Sequence, residues 1–550
     1  MLNQHHIVLF VLIPMFTGLI TLLTHGHRTT QRIIGFVCLG LNLAVAIWAL
    51  HTVYNGPNPI LVSQMGNWPA PFGISIVIDC FSALMLVFSA VVCIAVYCYC
   101  IFQLRDRFSG GFFLPLFHFL LMGVQWSFIT GDLFNLFVAF EIMLMCSYSM
   151  FTLGTTKAQM KQAYKYVLLN LIGSTLFVTC AGLLYGQLGT LNIADITRMA
   201  SQDKIPDNAI PVICMLFLVF GGKTAIFPLW YWLPDTYHTL PSPIGGLFAG
   251  LLTKVGAYVM IRIFVMTFGQ SQAVSEVLTP IVLLSAIITM FLGVLGAVSM
   301  HSVRRILSIH IISQVGYMLM GIGLAMYYVA QPTQEQISGK EWAIAGAIFF
   351  IIHNMVVKCC LFLCAGLIKR NAGSDDLTKI GGLAKRIPFV ATLFLIAALS
   401  LAGLPPLSGF FGKWLLIREG WAQEKYWLTA FAIATSLLTL LSMLKIWSYG
   451  FWSPPQGFYT RYPSARSKTA GGVVAVTFLV AIALSMGFAS QQYLNICHKA
   501  AQTIINPKPY VIAVLGQKYS QPQIQPNTQP HTQTHQTTFK SKSNKGINTQ

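Results

Sequence analysis

Apolar residues run in long blocks along this chain, and polar residues gather in short clusters between them. The blocks predict fourteen membrane-crossing helices, at about 7–24, 33–52, 75–102, 112–130, 132–154, 162–186, 209–233, 240–267, 276–298, 305–329, 341–368, 388–416, 426–452 and 470–492. Each is close to the roughly 20 residues that an α-helix needs to cross a bilayer core. Only a turn near Thr130–Asp132 parts the fourth from the fifth. The pattern therefore predicts an all-α polytopic membrane protein. The first block follows MLNQHH, with no basic lead and no small-residue cleavage site, so it reads as the first membrane helix and not as a cleaved signal.

Two of these blocks are interrupted. The seventh holds Gly221, Gly222, Pro228 and Pro234, and the twelfth holds Gly403, Pro405, Pro406 and Gly409. Proline removes a helical hydrogen bond and clashes with the turn before it. In lipid, the freed carbonyls must find partners or line a hydrated cavity. Interrupted helices at corresponding places in two halves mark transport sites in repeat-built transporters. Here the breaks lie five helices apart, and an odd number inverts the second unit. The expected organisation is helices one to three over 1–111, a first five-helix repeat over 112–268, a second over 269–452, and the last helix with its flanks over 453–515. Lys223 then answers Lys413, and Lys254 answers Lys445. The stretch 516–550 is rich in Gln, Thr, Asn and Pro without apolar periodicity, which predicts a disordered polar tail. His531 and His535 in it read as solvated residues.

Composition agrees with the pattern. Only 9% of the 550 residues are charged, against roughly 25% in soluble proteins. A net charge of +19 suggests a polyanion-binding surface, but the basic residues sit in loops and no basic stripe with interleaved aromatics occurs. Nucleic acid is therefore not an expected partner. Those loops instead report orientation. With the N-terminus outside, cytoplasmic loops hold 17 basic residues (Arg28, Arg32, Arg105, Arg107, Lys157, Lys161, Lys165, Arg304, Arg305, Lys369, Arg370, Lys379, Lys385, Arg386, Arg461, Arg466 and Lys468), while outer loops hold 5 (Arg198, Lys204, Lys340, Arg418 and Lys425). The bias predicts both termini outside. The twelve cysteines include no doubled CxxC, and no GxGxxG turn or Fe–S spacing occurs. No metal or cofactor is expected. Cys359, Cys360 and Cys364 share a helix and read as small apolar residues.

The candidate chemistry lies in charges inside the apolar blocks. Lys223 stands in ICMLFLVFGGKTAIFPLWYWLP, Lys254 in GGLFAGLLTKVGAYVMIR, and Glu141 in GDLFNLFVAFEIMLMCSYSM. An ionised group at the bilayer centre costs about 2.5–3.5 kcal/mol on insertion scales, so such residues face a bundle interior or a hydrated path. A buried lysine exchanges protons more readily than an exposed one, and a nearby glutamate couples to it. Each could also be structural, Glu141 as a carboxylate locked to a neighbouring helix. Lys358 and His353 share the eleventh helix, and Lys413 follows the second break. His310, His118 and Lys445 are further candidates. Arg262, near a helix end, is expected to snorkel to the interface. Glu141, Lys223, Lys254, His353, Lys358 and Lys413 are expected to form a lateral row at mid-membrane.

These motifs, with KTAIFPLWYWLPDTYHTLPSPIGGLFAGLLTKVGAYVMIR, ILSIHIISQVGYMLMGIG, HNMVVKCCLFLCAG and GLPPLSGFFGKWLLI, resemble the antiporter-like subunits shared by respiratory complex I and the Mrp-type (Mnh, Pha) cation/proton antiporters. The likeness spans about 70–450 and is greatest to the D subunits of Mrp antiporters. It implies fourteen helices, ten of them in two inverted five-helix repeats, with helices seven and twelve broken. It also implies that Glu141, Lys223, Lys254, His353, Lys358 and Lys413 carry protons. It further implies a hetero-oligomer of several different subunits in a bacterial inner membrane, exchanging H+ for Na+ or K+ and supporting pH homeostasis. The alternative is a proton-pumping membrane subunit of a complex I-like oxidoreductase or a membrane-bound hydrogenase. In both cases the chain is a translocating subunit among partners and lipid, with no catalytic centre of its own.

Overall fold

The computed structural model describes residues 5–103, 112–153, 156–454 and 470–517. The tail beyond 517 and the basic residues Arg105, Arg107, Arg461, Arg466 and Lys468 lie outside the described residues. Among those described, twelve helices are long and apolar enough to cross a membrane, and two shorter apolar ones span Phe113–Ile129 and Pro388–Ala402. The predicted all-α multi-pass architecture is thus the one observed.

The first half runs α1 (Leu9–Leu23), α2 (Arg28–Asn55), α3 (Cys80–Gln103), α4 (Phe113–Ile129), α5 (Leu133–Thr152) and α6 (Lys157–Leu188), then a short α7 (Ile193–Ser201). The interrupted seventh crossing follows as α8 (Ile210–Thr224) and α9 (Trp232–Tyr237). Next come α10 (Ser242–Met260), which continues as a π-helix over Ile261–Thr267, then α11 (Gln272–Ser299), α12 (Val303–Met326) and α13 (Gln334–Ala372). The twelfth crossing is split into α14 (Pro388–Ala402) and α15 (Ser408–Ala422), followed by α16 (Tyr426–Ile446) and α17 (Ala470–Phe488). Two helices that the hydropathy pattern did not separate, α18 (Ser490–Ile505) and α19 (Lys508–Leu515), close the described chain. A hairpin of β1 (Leu61–Gln64) and β2 (Ser75–Ile78) pairs antiparallel with Leu61 opposite Ile78.

Contacts between loops set the order of crossings. The Gly131 amide donates to Ser75 O at 2.8 Å, and Gln64 donates to Val514 O at 3.3 Å. The hairpin, α7, α18 and α19 therefore share one face with the start of α1, here the first face. On the opposite face, Arg304 Nε meets Asp375 at 2.7 Å and Lys165 meets Asp235 at 3.4 Å.

Local sequence explains the ends. Asp132 caps α5 by accepting from Asn135 N, and Thr156 caps α6 by accepting from Gln159 N. Thr333 and Gln336 form a capping box on α13. Without a hydrophobic drive inside lipid, helices associate by close packing at small residues. A Cβ on Gly256 would stand 2.4 Å from Thr224 Oγ1, and one on Gly316 would stand 2.6 Å from Met290 N. These glycines let α8 touch α10 and α11 touch α12. Helices α10, α12 and α13 form the centre, buried along their apolar windows, and their polar residues therefore face protein.

The breaks differ in detail from the expectation. In the seventh crossing, Gly221 and Gly222 stay helical, and the chain leaves the helix at Ala225, which has φ 65°. Gly221 instead makes room for Ile226, whose Cδ1 would lie 2.4 Å from an added Cβ. In the twelfth, Gly403 takes the left-handed turn with φ 91°, a conformation that favours glycine.

Candidate functional site

Each interrupted crossing leaves the C-terminal end of a half-helix inside the protein. The last carbonyls there have no helical partners and carry a partial negative charge. A lysine stands at each end. Lys223 belongs to the last turn of α8. Lys413 comes from the following half-helix and reaches back, donating to Leu401 O at 3.2 Å and Ala402 O at 2.9 Å at the end of α14. In sequence the two lysines lie on opposite sides of their breaks, so register alone does not align them. In space both are associated with the C-terminal end of a first half-helix.

Lys223 is buried, donates to Ser174 Oγ at 3.3 Å, and lies 5.4 Å from the Phe140 ring centroid. Glu141, next to Phe140 on α5, lies within electrostatic reach of Lys223 without forming a salt bridge. Its Oε1 is buried without a hydrogen-bond partner among the described residues. The Thr224–Gly256 contact brings the end of α8 against α10, two residues beyond Lys254. Lys254 is buried and donates to Ala249 O at 2.7 Å and Thr253 Oγ1 at 3.0 Å.

Across from it, α13 carries His353 and Lys358, both fully buried. Lys358 Nζ has no hydrogen-bond partner among the described residues, and it lies within electrostatic reach of Lys254 on one side and Lys413 on the other. His353 Nδ1 pairs with Ser408 Oγ at 2.8 Å, which in turn meets Ser400 Oγ at 3.0 Å across the second break. Its ring stacks on Phe350 at 5.6 Å, and its Nε2 has no partner among the described residues. Lys413 lies 4.9 Å from the Tyr317 ring centroid, a cation–π arrangement. Glu141, Lys223, Lys254, Lys358, His353 and Lys413 therefore follow one another from α5 through α8, α10 and α13 to α15. Glu141, Lys358 and His353 have unused hydrogen-bonding capacity, while Lys223, Lys254 and Lys413 are held by serine, threonine or carbonyl oxygens. Such a series can pass a proton by small side-chain movements. Buried polar atoms without partners are uncommon in folded proteins, and each calls for an explanation.

The further candidates separate. His310 on α12 joins the row's edge. Its Nδ1 lies 3.3 Å from Ser313 Oγ, its Nε2 pairs with Ser442 Oγ of α16, and Lys358 and Lys413 act on it electrostatically. His118 sits on α4 with Tyr97 and Phe117 as ring neighbours at 5.8 and 5.7 Å, and no row residue is among these neighbours. Lys445 donates to Val298 O and Met300 O at 2.9 Å each, closing the end of α11. It is a helix-end group and does not mirror the interior setting of Lys254.

Arg262 does not snorkel. It is 4% exposed and makes a bidentate pair with Asp79, Nη1 to Oδ2 at 2.6 Å and Nη2 to Oδ1 at 2.8 Å. Asp79 lies just before α3, so the carboxylate comes inward to meet the guanidinium. Sequence reasoning missed Asp79. The one signal was an acidic residue at the lip of an apolar run, in SIVIDCFSALM. It also missed Ser174, Tyr317, Ser400, Ser408 and Ser442, which are common residue types inside apolar helices and carry no distinguishing pattern. No group of His, Cys, Asp and Glu that could hold a metal occurs among the described residues.

Comparison with known proteins places this geometry. Residues 130–439 match the profile of the family described as NADH:quinone oxidoreductase/Mrp antiporter, TM. A relative from Alkalihalophilus pseudofirmus, named as the D subunit of a Na(+)/H(+) antiporter, is 41% identical over 92% of this chain and 99% of its own length. A chain in the solved Mrp complex of a Dietzia species is 28% identical with a TM-score of 0.83, covering 94% of this chain and all of its own. A chain of an archaeal membrane-bound sulfane sulfur reductase shares the fold, with TM-score 0.82 and 24% identity over 92% of this chain and 99% of its own.

Proposed function

Because this chain belongs to the NADH:quinone oxidoreductase/Mrp antiporter family of membrane proteins, we propose that it is the proton-translocating subunit of a multisubunit Na+(K+)/H+ antiporter. Protons move along Glu141, Lys223, Lys254, His353, Lys358 and Lys413, with His310 as a side branch. The observation that carries this reading is the continuity of the row between the two interrupted crossings. Within the row, Glu141 Oε1, His353 Nε2 and Lys358 Nζ are buried without a hydrogen-bond partner among the described residues, so each can take or give a bond as a proton passes. The chain works with the other subunits of an Mrp-type complex in a bacterial inner membrane, with both termini on the outer side. It is a secondary-transporter subunit and not an enzyme.

The reading as a subunit of a redox enzyme is supported less. The redox-complex chain described above is under 25% identical, so it speaks for the fold alone, while the Alkalihalophilus antiporter relative is 41% identical along nearly the whole chain.

The test is Lys223→Ala and Glu141→Ala, each in the assembled complex in membrane vesicles. Both substitutions should abolish the pH change driven by added Na+ or K+, while the complex is still recovered with all its subunits. Full exchange by an assembled Lys223→Ala complex would remove the lysine from the path.

A further inference from the structure

Above Lys254, on its first-face side, polar groups continue. Tyr258 is one turn along α10 and Arg262 a further turn, roughly 12 Å from Lys254 at 1.5 Å per residue. Tyr258 Oη donates to Phe128 O at 2.6 Å and meets Ser82 Oγ at 2.9 Å. Arg262 reaches the same two hydroxyls, Tyr258 Oη at 3.0 Å and Ser82 Oγ at 3.1 Å, while holding Asp79. The helix turns from α to π at Ile261, so Arg262 stands within the widened turn. Single π-turns inside helices recur at functional sites.

On the first-face side lies a cavity of about 900 Å³, with none of Asp79, Arg262 and Tyr510 in its wall. Val265, three positions past Arg262 in the π-turn, and Val511, next to Tyr510 in α19, belong to its wall, and Arg198, Lys340, Glu341 and Lys508 give it a polar lining. Tyr510 of α19 lies over the pair, its ring centroid 5.6 Å from the guanidinium carbon. Helix α19 has eight residues, and the Gln64–Val514 bond ties it to the hairpin. A buried ion pair is weak evidence for stability, because apolar residues of similar volume often serve as well. The place of this pair on the first-face side of Lys254, toward the cavity, gives it another use.

We propose that Asp79 and Arg262, with Tyr258 beneath and Tyr510 above, form the gate through which Lys254 exchanges protons with the first face, the cavity being its vestibule. The proposal rests on Lys254 being part of the proton path. Closed, the guanidinium places a fixed positive charge in the route and occupies the carboxylate. When the pair parts, the proton that the Lys254 ammonium gives up, leaving a neutral amine, passes by way of the Tyr258 and Ser82 hydroxyls, each releasing one proton as it takes another, to the Asp79 carboxylate, which then releases it to vestibule water. Arg262 keeps its charge throughout. Proton passage is thereby confined to moments when the gate opens, as tight coupling to cation movement requires.

The experiment uses the whole complex in vesicles, with a pH gradient imposed in the absence of Na+ and K+. The double variant Asp79→Asn/Arg262→Gln removes both charges together, so neither is left buried alone. It should dissipate the gradient roughly tenfold faster than the unsubstituted complex, the gain expected when a state populated at up to about 10% becomes dominant. Adding Lys254→Ala should return the leak to background. An assembled double variant with no added leak, or a leak that survives Lys254→Ala, overturns the gate. Where the double variant does not assemble, Tyr510→Ala leaves the pair intact and thins its cover. It should show a smaller leak with the same dependence on Lys254, and absence of any leak overturns the proposal. The leak is read without cation exchange. A leak that depends on Lys254 in a complex whose exchange survives Lys223→Ala would thus keep the gate while refuting the relay.

Discussion

At the scale of single residues, Lys413 is the sharpest case. Its ammonium donates to two carbonyls at the end of α14 and faces the Tyr317 ring. A cation at a helix C-terminus is favoured by the helix dipole. Arginine would satisfy the same carbonyls but does not release a proton within a protein. Lys413→Arg should therefore assemble normally and lose cation-driven proton movement in vesicles. Lys413→Glu can titrate, but an ionised carboxylate would face two carbonyl oxygens and the negative helix end. It should retain less exchange than the unsubstituted protein. Exchange by Lys413→Arg equal to the original would make Lys413 a fixed charge and end the relay before it.

At the scale of elements, the loop after α13 is pinned to the start of α12 by Asp375. Its carboxylate takes Arg304 Nε at 2.7 Å and Ser302 Oγ at 3.2 Å, with Lys369 at 3.7 Å. Burial alone would raise the Asp375 carboxyl, but the Arg304 guanidinium, helped by Lys369 and Ser302, holds it below the usual carboxylate range. A folded-state value below the unfolded one contributes stability above the unfolded pKa and loses it as pH falls through the folded one. Asp375→Asn should thus cost about 2 kcal/mol near neutral pH, the worth of a charge-assisted hydrogen bond. Thermal unfolding of the purified protein should show the gap between the two proteins closing below about pH 4. A gap that stays constant through acid pH would show that the loss is one of shape and not of charge.

At the scale of the whole molecule, the hairpin, α7, α18 and α19 all lie on the first face. The described C-terminal end at Gln517 therefore shares a side with the start of α1. In the proposed orientation the basic loops of the opposite face, including Lys165, Arg304, Arg305 and Lys369, face the cytoplasm. An epitope joined to the C-terminus should be cleaved by protease added to right-side-out vesicles and protected in inverted ones. The reverse pattern would invert the topology and move the Asp79–Arg262 gate to the cytoplasmic side.

The sequence by itself determined the crossings, their approximate ends and the interior ionisable residues. Hydrocarbon enforces these directly: a spanning segment must be apolar and about 20 residues long, and any charge within it needs protein or water around it. Glu141, Lys223, Lys254, Lys358 and Lys413 were legible for that reason. The tertiary structure decided what those charges meet. Arg262 illustrates this: proximity to a helix end argued for the interface, yet a carboxylate 183 positions earlier turns it inward. Lys413 illustrates it too, since linear register separates it from its break while folding returns its ammonium to the end of α14. Partners of this kind are serines, tyrosines and carbonyls from distant segments, abundant in any apolar helix. Only the packing of α8 against α10, and of α10 and α15 against α13, selects the ones that touch a charge.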